Sequence, residues 1–402
     1  MDFDDLVLGS GLSSLGTVLG LLQAPQRRIA VVCGPAEGRF TYYDERQTLP
    51  CAYLGAGGMG SHWHGVIPLG WTRELGEDGR KDFEALFKQF YPHVRLAGHW
   101  GSGAFFVPWR PIRPAAHLHR INGMLPSGRL TLVNAAADRI EHDADGARVA
   151  LSTGASVRAR RVWVAAGAMH TPLLLATSFG SAIDRRLASD HVFCYVGQVE
   201  GQPAPTVKRS RDGTLFPATY DAASTALYTL RPAAFAFRQL DYGIEQRAVF
   251  GMPTGSAISK IARRLSPGLL VEAFFNRFGL LGGTPVHSVY AQVPVEDAYE
   301  RVDGDLPLKP RTKTIADALR AARLAQPFPR VAPTLRPELH LPGIHLHHTV
   351  DLAALEYAGI NTPGSAIQVV DASVMLEIGP DHHSFRMMLA AHTRARRSGA
   401  FV

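Results

Sequence analysis

A chain of 402 residues, 46% hydrophobic and 19% charged, is long and apolar enough to bury a large core and more naturally forms two domains than one. The formal charge of +7 (His neutral) is carried by basic residues scattered singly or in short pairs; this argues against a nucleic-acid surface and leaves a mild bias toward anionic ligands. Three cysteines, Cys33, Cys51 and Cys194, lie far apart without a C-x-x-C pair, which argues against a disulfide framework or structural zinc and suits a reducing, cytoplasmic compartment.

The opening "MDFDDLVLGSG" has no basic segment ahead of an apolar run, so a secretory signal is not expected. No apolar stretch reaches the length of a membrane span, so membrane association is not expected either. Residues 3–9 alternate toward a buried strand. "GSGLSSLGTVLGLL" follows, with Leu12, Leu15, Leu19 and Leu22 at helical spacing, and then a second apolar strand over 28–34. Gly9, Gly11 and Ser14 thus occupy a G-x-G-x-x-small turn between strand and helix. The first glycine permits the turn, the second lets the backbone approach a pyrophosphate, and the small third residue lets helix and sheet pack. Phosphate oxygens would sit at the free N–H groups of the helix start. The acidic residue that normally closes the second strand and holds a ribose is absent; Cys33 stands there, and Glu37 is the nearest carboxylate.

The stretch "GAGGMGSHWHG", Gly55 to Gly65, is too rich in glycine for a helix or a central strand, and signals a backbone that approaches something closely. Residues 147–178 read as strand, turn, strand, a further buried strand "VWVAAGA", and a helix opening at Thr171-Pro172. Residues 191 to about 340 lose this regularity, hold many aromatics and read as a second domain; within them, 256–281 reads as two amphipathic helices broken near Pro267. From Ile344 short motifs return: "HLHHT" and "IQVVDASVM", then a histidine-bearing loop and a helix starting near Ser384. There are no internal repeats.

In order and content these motifs resemble the glucose-methanol-choline (GMC) family of flavin oxidoreductases. The likeness rests on "GSGLSS", the glycine-rich stretch, "GAMHTPLLLATS" (Gly167–Ser178) and "IQVVDASVM" (Ile367–Met375), about half the chain. The resemblance implies an α/β fold: a Rossmann-type FAD-binding domain and a second, shortened α+β substrate domain. It divides the chain into FAD-binding segments 1–75, 115–190 and 341–402, the last with the catalytic histidines, a part of the substrate domain or an excursion at 76–114, and a substrate domain at 191–340. It implies FAD as cofactor, met by Gly9, Gly11, Ser14 and Gly58, by the backbone of Ala137 near adenine, by Asp371 in the pyrophosphate–ribityl region, and by His383. "GGMGSHW" is similar to the "GGMSTHW" stretch of pyranose oxidases, which implies covalent attachment of the flavin to His62; His64 is expected to be structural or to face substrate.

Oxidising an alcohol requires a base for the hydroxyl proton while hydride leaves carbon, and a near-neutral histidine suits the first task. The family places one histidine in an H-x-x-G-T stretch, which falls on His345, with His348 in place of the glycine and Thr349 retained. A second lies about eleven residues after the Asp of "VDAS", which falls on His382. The resemblance implies His345 as base and His382 as its partner, with the roles open to exchange. His345, His347, His348, His382 and His383 also admit a metal reading, the lesser one; His170 and His191 read as structural, and His340 as a loop residue. The expected activity is oxidation of the CH–OH of a small alcohol, a sugar or a hydroxymethyl-bearing aromatic or specialised metabolite, with dioxygen or another acceptor. The alternative is a lyase on the same flavin fold without net redox chemistry. Packing within the second domain is the expected role of 256–281, with a lid, an oligomer contact or a membrane-surface patch as the alternatives.

Overall fold

The structure is a computed structural model describing all residues except 1, 36, 44–49, 97, 144, 201–207, 218, 221–225, 233–285, 302–307, 329, 334–339 and 399–402. The expected helix pair at 256–281 lies outside the described residues.

The first sheet grows from the glycine turn read in the sequence. Phe3–Leu8 is apolar and buried over Leu6–Leu8, and runs parallel to Ile29–Val32 on one side and Ser156–Val164 on the other. Leu130–Val133 extends the parallel set beyond Ile29–Val32. Buried on both faces, these short strands read as continuous apolar runs, as parallel sheets do. The two strands expected within 156–167 are one. Ser156–Ala159 pairs antiparallel with Ala147–Ala150, and the same strand continues through Val162–Val164 to pair in parallel with Ile367–Val369. Ala137–Asp143 closes that edge as the antiparallel partner of Gly146–Leu151. One polar residue is built into the core strand: Asp5, 1% exposed, accepts from the Trp163 indole (2.9 Å) and the Arg27 guanidinium (2.8 Å).

Helix α1 (Leu12–Leu21) packs along α7 (Ser384–Ser398). The face that closes on α7 is set by glycines more than by the leucines: a Cβ on Gly16 would lie 2.2 Å from the Met388 carbonyl oxygen, and one on Gly20 2.4 Å from that of His392. Leu12, Leu19 and Leu22 remain half-buried. Helix α2 (Glu77–Phe90) follows the Gly-rich region and lays Phe83, Leu86 and Phe87 on the same core, against Phe385 of α7. Helix α3 (Pro114–Met124) opens with proline in its first turn, and α4 (His170–Phe179) begins one residue earlier than expected.

A second sheet is antiparallel. Leu187–Glu200 pairs along its length with Val286–Arg301, which pairs in turn with Leu227–Pro232; His340–Pro342 lies on the far edge of Leu187–Glu200. Helix α5 (Thr312–Leu324) buries Ile315, Leu319 and Ala322 in this sheet's core, and the short α6 (Leu352–Tyr357) is capped by the Asp351 side chain. The segment between α2 and α3 contributes Ala104–Pro108 to a small third sheet with Ile67–Pro68 and Gly213–Pro217.

Candidate active site

The turn between the first strand and α1 is held open by backbone packing. Gly9 has φ +110°, and a Cβ there would lie 2.3 Å from the Ala165 carbonyl oxygen, so no other residue fits. Ser14 is fully buried beneath the helix start, its hydroxyl 3.5 Å from the same carbonyl. At Gly11 the space is open: the nearest atom to a Cβ would be the Gly57 carbonyl oxygen at 3.7 Å. The helix carries no side-chain cap there, so its first N–H groups point out with their positive dipole end. The glycine-rich stretch lies over this turn. The Ser10 hydroxyl donates to the Cys33 carbonyl oxygen (2.8 Å) and accepts from the Gly57 N–H (2.8 Å). Gly57 and Gly58 take left-handed φ values of +84° and +53°, and a Cβ on Gly60 would meet Pro114 Cγ at 2.9 Å. An uncapped helix start, open space at Gly11 and a second glycine backbone facing it fit a dinucleotide pyrophosphate. Beside it, burial pushes the Cys33 thiol up to about 11, leaving a neutral side chain where a ribose carboxylate is usual, and Glu37 is exposed.

Gly58–His62 forms a short 3-10 turn. His62 is exposed at its end and packs its ring against Tyr53 (centroids 5.6 Å, edge-on) and Phe40 (5.1 Å). His64 is exposed two residues on, close enough to help hold the His345 ring uncharged. Ala137 is half-buried at the start of the edge strand.

Asp371 is 3% exposed, and four protein donors occupy its carboxylate. The Gly167 N–H (2.7 Å) and Thr171 hydroxyl (2.6 Å) reach Oδ2, while the Ser373 N–H (3.0 Å) and hydroxyl (2.6 Å) reach Oδ1. It caps the turn Ala372–Val374 and ties "VDAS" to the start of α4. Burial still drives its pKa up against those bonds.

The histidines converge from two loops. His345 Nε2 lies 3.2 Å from His382 Nδ1, with ring centroids 4.7 Å apart. At that distance one ring donates and the other accepts, so the pair shares one proton when uncharged. His383 stands 5.3 Å from the His345 ring, and His347 5.9 Å from His383. His347 donates from Nδ1 to the His345 carbonyl oxygen (3.0 Å), a direction a carbonyl requires. Desolvation, then the neighbouring rings, holds the His345 and His383 pKa values well below the ordinary histidine range; burial brings His347 down to about 4. The Nδ1 atoms of His345 and His383 are buried without a hydrogen-bond partner. His348 stands apart with φ +51°, its carbonyl accepting from Arg185. Among the described residues no three His, Cys, Asp or Glu side chains are gathered to hold a metal ion. Helix α7 begins immediately after His383, so its amino end opens beside the pair.

Sequence reasoning passes over Asp190 and reads His191 as structural, yet both lie under this cluster. His191 is fully buried, with its ring centroid 5.5 Å from that of His345. The available signal was a charged residue followed by histidine inside the otherwise apolar strand "LASDHVFCYVG".

No protein-family model matches the chain, and no curated protein is significantly similar in sequence. Solved structures are similar along its whole length. Pyridoxine 4-oxidase from Mesorbium loti aligns over 100% of both chains with a TM-score of 0.53 at 12% identity. A fungal aryl-alcohol oxidase aligns over 98% of both chains with a TM-score of 0.50 at 14% identity. At such identities the likeness is one of fold.

Proposed function

We propose that this chain, whose fold is that of the GMC oxidoreductases, binds FAD across the Gly9–Gly11–Gly57 cradle and oxidises the CH–OH group of a small alcohol. The observation that carries the reading is the His345–His382 contact of 3.2 Å, formed by residues of two separate loops. Bound FAD would supply the two-electron acceptor for the hydride, with dioxygen or another acceptor completing turnover. The chain's own task is the proton. Desolvation keeps His345 neutral near pH 7; with its Nε2–H donated to His382 Nδ1, the electron pair on its unpartnered Nδ1 would take the hydroxyl proton. His382, sharing a hydrogen bond with it, orients the ring and polarises the same oxygen. The amino end of α7, which opens directly after His383, would offer N–H groups to negative charge developing beside the pair. Asp371, met by four protein donors, keeps the Gly167 turn and the "VDAS" turn in register. Both neighbours are oxidases by name, one of aryl alcohols and one of pyridoxine, which favours a hydroxymethyl-bearing aromatic substrate over a sugar.

The test is anaerobic single-turnover reduction of the bound flavin by a panel of alcohols. Bleaching is expected with at least one aromatic alcohol, and His345→Ala and His382→Ala should slow it by roughly a hundred- to ten-thousand-fold with FAD still bound. A protein that binds no FAD, or one whose two variants reduce at the unmutated rate, refutes the reading. His62 is proposed as the attachment point of the flavin: acid precipitation should leave the colour in the pellet, and His62→Ala should release it. Colour recovered wholly in the supernatant of the unmutated protein would exclude the bond while leaving the oxidation in place.

A further inference from the structure

We infer that Asp190 and His191, adjacent on the strand Leu187–Glu200, are positioning residues that set the spacing of the His345–His382 pair by gripping the backbones of the two loops that carry it. The inference rests on the proposed role of that pair and adds to it two residues from the second sheet.

The Asp190 carboxylate is fully buried; Oδ1 accepts from the N–H of His345 (2.7 Å) and of His191 (2.8 Å), and Oδ2 accepts from the Tyr43 hydroxyl (2.7 Å). His191 faces the other loop. Its Nε2 lies 2.6 Å from the Gly379 carbonyl oxygen and its Nδ1 3.0 Å from Gln292 Nε2. A carbonyl only accepts and an amide nitrogen only donates, so the His191 ring is the neutral tautomer with its proton on Nε2. Gly379, held in a left-handed conformation at φ +62°, lies three residues before His382. One residue of the dipeptide therefore holds the loop of His345 and the next holds the loop of His382.

The strand is shaped for this. Its pairing with Val286–Arg301 slips between Ala188 and Asp190, leaving Ser189 unpaired on that side. Ser189 instead exchanges backbone hydrogen bonds with His347, at 3.1 and 3.0 Å. Irregularities of this kind recur beside functional sites because they re-aim side chains. The Gly343 N–H donates to the His191 carbonyl oxygen (2.6 Å), and a Cβ on Gly343 would meet that oxygen at 2.6 Å, so the histidine loop sits directly on the strand.

Function follows from tolerance. The two rings come from loops 37 residues apart in sequence, and their hydrogen bond weakens steeply with a displacement of half an ångström. No single element carries both rings, so their separation is set by whatever both loops are fastened to. A fully buried carboxylate and imidazole, each with its hydrogen-bonding atoms engaged, provide a stiff common anchor.

The test compares paired variants of the FAD-loaded protein. Asp190→Ala and His191→Phe remove the grip; Asp190→Asn keeps an acceptor for the His345 N–H, and His191→Gln keeps a donor for the Gly379 carbonyl. Histidine-labelled 15N NMR reads the imidazole signal of the hydrogen-bonded pair, identified by its disappearance in His382→Asn. Loss of that signal in Asp190→Ala and His191→Phe, and its return in the Asn and Gln variants, is expected. The limiting rate of anaerobic flavin reduction should follow it, falling about a hundredfold with the substrate dissociation constant unchanged. Retention of signal and rate in Asp190→Ala and His191→Phe overturns the inference, as does equal loss in the conservative variants. If Asp190→Ala fails to fold, the comparison of His191→Phe with His191→Gln decides alone. An unmutated protein whose flavin no alcohol reduces defeats the functional reading, and the NMR arm still decides the positioning role.

Discussion

His347 shows what burial does to a single titratable residue here. It is 4% exposed, and its pKa is brought from an ordinary 6.5 down to about 4. The folded chain then holds this proton less tightly than the unfolded chain. The associated stability is fully present above pH 6.5 and is lost as pH falls through that window toward about 4. Asp190 has the opposite sign: raised to about 7 by burial, it contributes below 3.8 and that contribution is lost as pH rises through about 7. A variant isolates one from the other. His347→Asn keeps a donor near the His345 carbonyl oxygen but does not titrate. The fall in unfolding free energy between pH 7 and pH 4.5 should shrink by roughly 2 kcal/mol in the variant, measured by urea unfolding at the two pH values. An identical fall in both proteins would show that His347 is protonated at no cost in the folded state.

At the scale of the element, the α1–α7 crossing turns on two missing side chains. Gly16 and Gly20 let the helices approach until a methyl group would strike backbone, 2.2 Å from one carbonyl oxygen and 2.4 Å from the next. Backbone cannot step aside as a flexible side chain can. Gly16→Ala should therefore destabilise by about 1–3 kcal/mol, the usual penalty of overpacking, despite the better helix propensity of alanine. Gly123 in α3 is the control, since nothing lies within 4 Å of a Cβ there. Gly123→Ala should stabilise by about 0.4–1 kcal/mol through the unfolded chain's entropy. Two identical substitutions in helices should thus shift the denaturation midpoint in opposite directions. A shift of the same sign in both would mean that α1 and α7 are less tightly apposed than described. The crossing also places the site: α1 carries the cradle at its amino end and α7 opens at His383, so the contact that forbids a methyl group holds cofactor cradle and histidines in one frame.

Across the whole molecule, the site is assembled where the two larger sheets meet. The first sheet supplies the Gly9 turn and, through Ile367–Val369, the loop to His382; the second supplies Asp190 and His191 and the edge on which the His345 loop lies. Bridges from Asp184 to Val350 and from Ser189 to His347 stitch the segment between the sheets to the histidine loop. The excursion after the glycine-rich stretch serves both sides, its helix α2 in the core with α7 and its strand Ala104–Pro108 paired with Gly213–Pro217.

Local pattern sufficed where one short stretch carries its own physical reason. The apolar strand, the Gly9–Gly11–Ser14 turn and the following helix were legible because φ signs, small residues and periodicity are properties of neighbours in sequence, and from them a strand–turn–helix–strand unit for a dinucleotide could be read. The resemblance to the family, carried by "HLHHT" and the "VDAS" stretch, implied the two histidines whose rings lie 3.2 Å apart in the structure. Other features were decided only in three dimensions. The joining of two expected strands into Ser156–Val164 depends on partners at 147–150 and 367–369. The burial of the α1 glycines depends on a helix more than 360 residues away in the chain. The bonds from Gly167 and Thr171 to the Asp371 carboxylate join positions 204 and 200 residues apart in the chain. The weight of Asp190 and His191 was invisible for the same reason: a carboxylate and an imidazole in an apolar strand are costly alone, and their partners, two loops' backbone N–H and C=O groups, carry no mark in the sequence.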